Sequence, residues 1–485
     1  MGNGGIIMFY QYFALAFTII LSAYVLCKYI FFKNNEKFAR VMNRVLKICV
    51  ITYCIIIILS ILLPDAFVRS YDPSELNFSY KNVSFALVRW FSALSFVMLP
   101  LAVFFKNRTI KNIAIYFCSI MTIISIIYYP TYMEYYTSTL GRGLNSISVF
   151  GQAFKNFLLN TTFRSFVIGF VWLLELFVVI MLTVEEKHIF NFNDKKEYLN
   201  FFLVLFVSLL CVIPIYVPQH LFGYSNIIFD AWTIPHIIWV LFVIGLIISL
   251  YYIFRNNSTE VKTLLCFVLA LSLFYQYNQM FGAISISVKR LPFQLCNIGA
   301  FLVLLALITK NKHIFNFTVI VNVVGVMFAL AMPDLDGKGL FYLYNMHFIF
   351  EHTNVLVVPV LALCLQLFPR LDKTALKDCI IGFSIYFVFV LITGTLFNTI
   401  ASITNDGFYS ANYLFMFDQK VATDFVEPFG KLFNTQLHIG KHITLYPVIQ
   451  SLVYVVFLAL CVGMYYLIRL IYLIKDKIKI KRQKI

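Results

Sequence analysis

Long apolar runs recur along the whole of this 485-residue chain and constrain its fold more than any motif does. A run of about 20 apolar residues forms a helix long enough to cross the roughly 30 Å hydrocarbon core of a bilayer. Charged residues make up 12% of the chain, whereas soluble domains contain about 25%. We therefore predict an integral membrane protein, and we exclude an ordinary soluble enzyme, a disordered chain and a disulfide scaffold.

Hydropathy predicts an all-α fold, a polytopic transmembrane helical bundle of about 13 spans. The predicted spans lie near residues 7–32, 44–63, 82–105, 109–129, 162–184, 198–222, 229–254, 260–280, 291–309, 314–333, 342–368, 376–400 and 445–474.

Lysine and arginine residues are unevenly distributed among the loops. Twenty-three of them lie in the segments after odd-numbered spans or at the first three positions of the span that follows, and ten lie in the segments after even-numbered spans, although the even-numbered loops are longer. Basic residues accumulate on the cytoplasmic side of membrane proteins. We therefore predict a multi-pass protein of the cell membrane with its N-terminus outside and its C-terminus in the cytoplasm. The formal net charge of +16 is assigned to that membrane face, not to nucleic-acid binding.

A weak internal similarity suggests two halves. The segment LAVFFKNRTIKN at 101–112 matches LALITKNKHIFN at 305–316 at six of twelve positions. A competing match, KHIFNF at 187–192 and at 312–317, implies a different register, so coincidence remains an alternative. We predict an N-terminal six-span half over 1–224, as a degenerate parallel six-span repeat, and a seven-span domain over 225–485.

Cys296 differs from the other nine cysteines because polar and basic residues surround it. Basic neighbours or a histidine favour the reactive thiolate form of a cysteine. His352 enters the same outer half of the membrane from a later span, and a Cys–His pair can act as nucleophile and general base. The alternative is that both are satisfied polar residues of the helical core.

Four motifs of the second half occur in a fixed order: LPFQLCNIG (291–299), MPD (332–334), HFIFEH (347–352) and NYLFMF (412–417). In this order and spacing they resemble the bacterial YwaF family of integral membrane proteins. His236, in the segment IPHI, also resembles the histidine near the start of that family's domain. The resemblance covers about residues 225–475. The YwaF family is similar to eukaryotic transmembrane protein 164, described as a cysteine-dependent phospholipid acyltransferase.

The resemblance implies a lipid acyltransferase that moves a fatty-acyl group through a thioester at the outer half of the membrane. Cys296 matches the nucleophile and His352 the catalytic histidine, with a phospholipid or lysolipid of the bilayer as substrate. Two positions depart from the family pattern: Gln294 replaces a histidine, and His347 replaces a glutamine. His347 is therefore a rival base.

Eight further residues are predicted to bind substrate: Lys289, Arg290, Gln294, Asn297, His347, Asn354, Asn412 and Tyr413. The amides of Gln294, Asn297 and Asn354 can donate hydrogen bonds to an oxyanion. Lys289 and Arg290 suit a lipid phosphate at the outer interface, with a plain interfacial anchor as the alternative. Asn412 and Tyr413 follow from the resemblance alone, with a packed outer-loop lid as the alternative. No metal ion, cofactor or nucleic acid is predicted.

Other function classes stay open at this point. A transporter or flippase without covalent catalysis suits thirteen spans and parallel repeats. A lipid-linked glycosyltransferase would need an acidic pair such as Asp65 and Asp72, and a purely structural role is a third alternative. Glu175 and Arg164 are the ionisable residues of the fifth span and can pair or line a cavity. We interpret the first half as a scaffold or substrate gate.

Overall fold

The structure, a computed structural model, describes fifteen segments of the chain. The chain divides into two compact units. The described residues are 3–31, 36–62, 95, 98–104, 111, 114–127, 151–185, 195, 227–259, 261–270, 288, 291–331, 333, 339–417 and 435–483. Unit 1 comprises Met1–Ile228, Tyr275–Ser285 and Gly339–His347. Unit 2 comprises Phe229–Phe274, Ile286–Lys338 and Phe348–Ile485.

The helices of unit 1 pack around one long apolar helix. In chain order they are α1 (Asn3–Phe31), α2 (Glu36–Leu62), a π-helical turn (Ala114–Cys118) that continues into α3 (Ser119–Ile127), α4 (Gln152–Leu159) and α5 (Thr161–Glu185). α5 contacts each of the other four helices. Aromatic rings of α1 lie against it, with Phe13 and Trp172 edge to face at 6.0 Å between centroids. Gly169 lets Phe9 approach the α5 backbone, because an added Cβ would lie 3.3 Å from the Phe9 ring.

Unit 2 contains most of the longer helices. They are α6 (Ile234–Phe254), α7 (Val261–Ala270), α8 (Leu295–Thr309), α9 (Lys312–Ala331), α10 (Leu343–Cys364), α11 (Lys373–Thr404) and α12 (Pro447–Gln483). α9 contains a π-helical turn at Thr318–Asn322, and the first turn of α10 belongs to unit 1. Two 3-10 turns, Gly407–Tyr409 and Tyr413–Phe415, follow α11. An antiparallel hairpin, β1 (Leu437–Ile439) and β2 (Ile443–Leu445), precedes α12.

Local chemistry sets several helix ends. The Asn311 side chain accepts from the amides of His313 and Ile314 and so caps the start of α9. Lys310, just before it, is left-handed with φ 54°, so α8 ends and α9 begins within two residues. Asp372 caps α11 in the same way, accepting from the amides of Thr374 and Ala375.

Several polar contacts of unit 2 lie at or next to its predicted cytoplasmic loops. Asp378 accepts hydrogen bonds from His313 Nδ1 and Asn316 Nδ2, each at 2.8 Å. Arg370 donates through two nitrogens to the Asp476 carboxylate at 2.8 and 3.0 Å. These contacts tie the start of α9 to α11, and the loop after α10 to α12.

The mostly helical membrane fold is confirmed. Within the described part of the chain, six helical segments are long and apolar enough to cross a membrane. They are Ser165–Leu182, Ile234–Phe254, Lys312–Ala331, Tyr344–Cys364, Lys373–Thr404 and Pro447–Ile478. The total of 13 spans, the orientation, the repeat and the domain boundary at 224/225 stay predictions.

Some of the predicted features lie outside the residues that the structure describes. The predicted span near 198–222 and most of that near 82–105 lie outside the described residues, as does 105–110 of the first repeat segment.

Two elements were not predicted from hydropathy. α4 lies in the predicted outer loop 130–161, and the β1–β2 hairpin lies in the predicted outer loop 401–444. The hairpin is a small addition to the mostly helical fold. It turns at Gly440, whose φ of +69° favours glycine. Hydropathy did not reveal either element, because both are too short to give a membrane-span signal.

Candidate functional site

Cys296 lies in the first turn of α8, directly after Gln294, the N-cap residue, and Leu295. It is a free, half-buried cysteine that packs against a small apolar cluster formed by Ala300, Val326 and Val355. The N-terminal end of a helix carries a partial positive charge that stabilises nearby anions. The residue is therefore partly exposed, and it lies at the end of the helix that favours negative charge.

α9 holds the turn that contains Cys296 in place. Asn322, at the end of the π-helical turn, donates through Nδ2 to the carbonyl oxygen of Leu295 at 2.6 Å. Gly299 lets the helices approach closely, because an added Cβ would lie 2.9 Å from Asn322 Nδ2 and 3.0 Å from Val355 Cγ1. Small residues permit such close backbone approach between membrane helices. The position of Cys296 is therefore fixed by a buried amide and a glycine contact.

Gln294 connects the start of α8 to the segment after α11. Its Nε2 donates to the carbonyl oxygen of Asn412 at 2.9 Å, and its Oε1 accepts from the amide of Leu414 at 3.0 Å. The Asn412 side chain in turn accepts from the amide of Phe417 at 3.0 Å. The side chains of Gln294 and Asn412, both predicted to bind substrate, thus hold the 412–417 segment next to the cysteine helix.

Tyr413 is the buried centre of that segment. It is fully buried, its hydroxyl donates to the carbonyl oxygen of Val288, and its ring lies 5.5 Å from that of Phe293. Burial raises the pKa of the Tyr413 phenol, which therefore stays a hydrogen-bond donor near neutral pH. Leu414 and Phe415 have left-handed φ angles of 53° and 55°. Such residues cost about 1–3 kcal/mol each and persist only where their surroundings hold them.

His352 is buried in α10, and its ring orientation is fixed. Nδ1 lies 2.7 Å from the carbonyl oxygen of Phe348. Because a carbonyl oxygen only accepts, Nδ1 carries the proton, and in the neutral ring Nε2 is the nitrogen that can accept one. The Phe348 ring lies 4.0 Å from the imidazole and contacts Trp239 at 5.9 Å. Trp239 also donates to Thr353 Oγ1 at 2.9 Å, which connects α6 to the histidine helix.

The cysteine helix and the histidine helix meet at Val355, which belongs to the cluster that contacts Cys296. Val355 follows His352 by three residues and Glu351 by four, so all three share one side of α10. Glu351 is buried and lies close enough to Cys296 for a negative charge on its carboxyl group to disfavour the thiolate. The Tyr386 hydroxyl also lies near Cys296 and donates to the carbonyl oxygen of Phe293 at 2.7 Å.

Sequence reasoning did not select Glu351 and Tyr386 as site residues. A carboxyl group inside an apolar span is itself a signal of function, and it could have identified Glu351. Nothing in the sequence distinguishes Tyr386 from the other 29 tyrosines.

The remaining predicted residues are less closely connected to the thiol. Asn297 follows Cys296 in the same turn and is half-buried. Asn354 is buried, and its Nδ2 donates within its own helix to the carbonyl oxygen of Phe350 at 3.2 Å. His347 is buried and belongs to unit 1. Lys289 and Arg290 lie outside the described residues.

His236, which matched the YwaF pattern, links α6 to α9. Its Nδ1 accepts from the amide of Trp232 at 3.1 Å, and its Nε2 therefore donates to the carbonyl oxygen of Leu330 at 2.9 Å. Both ring nitrogens of this buried histidine are occupied by backbone groups. Its contacts are therefore those of a structural residue.

Residues 228–465 match the model of the TMEM164 family. The matched region contains Cys296, Glu351, His352 and Asn412, and it lies within the region of about 225–475 that resembles the YwaF family. The specific likeness to the bacterial family stays a prediction. No curated protein and no solved structure matches the chain.

Proposed function

The chain is a TMEM164-like membrane protein, and from this premise we propose that it is a lipid acyltransferase that uses Cys296 as its nucleophile. One observation carries the proposal. A half-buried thiol occupies the anion-favouring first turn of α8, and its apolar cluster includes Val355 of the histidine helix. A purely structural cysteine would not need a fixed position at the end of a helix that favours negative charge.

In the proposed first step His352 Nε2 accepts the thiol proton of Cys296. The sulfur attacks the ester carbonyl of a phospholipid, and a C–S bond forms as the ester C–O bond breaks. His352 returns its proton to the departing lysolipid oxygen. In the second step His352 removes the proton of an acceptor hydroxyl, which attacks the thioester, and the thiol is restored. No oxidant or further reactant is required.

The negative charge of each tetrahedral intermediate needs hydrogen-bond donors. The first N–H groups of an α-helix have no acceptor within the helix, and those at the start of α8 adjoin Cys296. We assign these N–H groups the role of oxyanion donors that was predicted for the side chains of Gln294 and Asn354, because both side-chain amides are bonded to backbone groups. The side-chain amide of Asn297 remains a proposed donor to the oxyanion.

The proposed substrate is a phospholipid or lysolipid, with its phosphate near Lys289 and Arg290. These two residues precede Cys296 by seven and six positions, which suits a headgroup at the membrane surface and an ester bond slightly deeper. The proposed outward orientation rests on the distribution of basic residues among the loops.

Acyl-enzyme trapping tests the proposal. The full chain in vesicles of a phosphatidylcholine with a labelled acyl chain should acquire the label at Cys296, and hydroxylamine should release it as expected of a thioester. Cys296→Ser should lose the label and reduce transfer to an added lysolipid by orders of magnitude. Cys364→Ser is the matched control, because Cys364 is an exposed cysteine of unit 2, and it should leave both signals unchanged.

Histidine variants identify the base. His352→Ala should lose the thioester and turnover, whereas His347→Ala should keep the thioester and mainly perturb packing or substrate fit. The reverse pattern would preserve the reaction class and make His347 the base. Lipid profiles identical among wild type, Cys296→Ser and His352→Ala would contradict acyl transfer and favour a transporter.

A further inference from the structure

Unit 1 buries a carboxyl group in the middle of an apolar helix. Glu175 lies in α5 within the membrane-spanning segment Ser165–Leu182 and is 5% exposed. An ionised carboxylate in the hydrocarbon region is costly unless a cation or several donors neutralise it. Glu175 therefore requires a ligand, a counter-ion or a proton.

Three polar side chains surround this carboxyl group. Ser95 and Thr122 lie beside it, and the Cys118 thiol interacts with it electrostatically. Cys118 is the titratable group next to Glu175 in the described part of unit 1, and no lysine, arginine or histidine described on α1 to α4 interacts with the carboxyl. A salt bridge thus does not neutralise Glu175 within these residues.

The hydrogen-bond pattern indicates which partner is required. Thr122 Oγ1 already donates its proton to the carbonyl oxygen of Cys118 at 2.6 Å, so towards Glu175 it can only accept. Glu175 Oε1 and Ser95 Oγ have no hydrogen-bond partner among the described residues. A carboxylate could accept one hydrogen bond from the Ser95 hydroxyl but would face a lone pair of Thr122, whereas a carboxylic acid can donate to Thr122.

The backbone beside Glu175 is also irregular. The π-helical turn Ala114–Cys118 packs against α5 and ends at Cys118. Single π-helical turns within helices occur frequently at functional sites. The π-helical turn places Cys118 beside Glu175, whereas a regular α-helix would turn a different residue towards Glu175.

We propose that Glu175, Ser95 and Thr122 form a proton-binding site within the membrane part of unit 1, in which Glu175 is a carboxylic acid that exchanges its proton. This site does not depend on acyl transfer at Cys296. It gives the first half of the chain a chemical role other than that of a scaffold.

A hydrophobic carbodiimide tests the site, because this reagent adds to protonated carboxylic acids in apolar surroundings. The full chain in phosphatidylcholine vesicles is treated with dicyclohexylcarbodiimide in choline buffer, and modified peptides are located by mass spectrometry. We expect an adduct at Glu175, no adduct at Glu36 at the exposed start of α2, and loss of the Glu175-region adduct in Glu175→Gln. The Gln variant should also keep the melting temperature of the wild type, because its amide can donate to Thr122 as the acid does.

Two outcomes would overturn the proposal. An unmodified Glu175 in wild-type protein would mean that the carboxyl is ionised or inaccessible to exchange. Suppression of labelling when sodium replaces choline would identify a metal cation, not a proton, as the ligand. Labelling that is equal in both buffers supports the proton. None of these results depends on whether Cys296 carries an acyl group.

Discussion

Gln294 holds Leu414 in a left-handed conformation across a sequence separation of 120 residues. The Gln294 Oε1 accepts the Leu414 amide at 3.0 Å, and Leu414 has a φ of 53°. Although Gln294 is the N-cap residue of α8, its side chain makes no capping hydrogen bond to that helix. The residue two positions before the cysteine thus organises the segment that covers the start of α8, and this structural role is separate from any contact with substrate.

Removal of the Gln294 amide should loosen that segment. In Gln294→Ala the carbonyl of Asn412 and the amide of Leu414 lose their partners, which costs about 1–3 kcal/mol for buried groups. We expect faster hydrogen exchange over residues 412–417 and reduced acyl transfer, measured by exchange mass spectrometry and by lysolipid acylation. Gln152→Ala, at an exposed glutamine of α4, should change neither. Unaltered exchange over 412–417 would show that Gln294 does not hold the segment.

Gly299 should tolerate no larger side chain. An added methyl group would lie 2.9 Å from Asn322 Nδ2 and 3.0 Å from Val355 Cγ1, so Gly299→Ala should destabilise the chain by about 1–3 kcal/mol through overpacking. Gly245→Ala is the matched control, because Gly245 lies in α6 with nothing within 4 Å of an added Cβ. Removal of that glycine should stabilise α6 by about 0.5–1 kcal/mol. Thermal unfolding in detergent measures both, and equal melting temperatures for the two variants would refute the close contact.

The Asp372 cap should make the stability of α11 depend on acid. A hydrogen bond from the Thr374 hydroxyl, with further ones from backbone amides, lowers the pKa of the Asp372 carboxyl. The resulting stabilisation is complete above the ordinary carboxyl pKa of about 4 and is lost as the pH falls through the lowered value. Asp372→Asn also caps a helix but does not titrate. The melting temperature of wild type relative to this variant should therefore be constant above about pH 5 and decline below it. A difference that does not change with pH would contradict the prediction.

The orientation of the chain can be tested at two positions. The 23-to-10 distribution of basic residues predicts that a reporter fused after Ile485 is cytoplasmic. It also predicts that a cysteine introduced at Ser410, an exposed residue after α11, reacts with an impermeant maleimide from outside, in a background without exposed cysteines. Labelling only after permeabilisation would invert the topology and place the proposed acyl-transfer site on the cytoplasmic side.

Hydropathy is a property of neighbouring residues, and it predicted the parts of the fold that depend on such residues. The six described spanning helices coincide closely with predicted spans. The order of four short motifs also led to a family resemblance, and the match over residues 228–465 supports a TMEM164-like membrane protein. The α4 helix and the β1–β2 hairpin were not predicted, because such short elements give little hydropathy signal.

The amino-acid sequence by itself determined that this is a helical membrane protein and which polar residues lie in its spans. Only the tertiary structure decided which of those residues meet. Successive side chains turn by about 100° around a helix axis, so the partner of each depends on which helix faces cross. That packing brings Glu351 near Cys296. It also lets the Gln294 side chain bond to the backbone of residues 412 and 414, and both ring nitrogens of His236 bond to backbone groups. Spacing along the chain does not contain this information, because contacts between helices are made by residues distant in sequence.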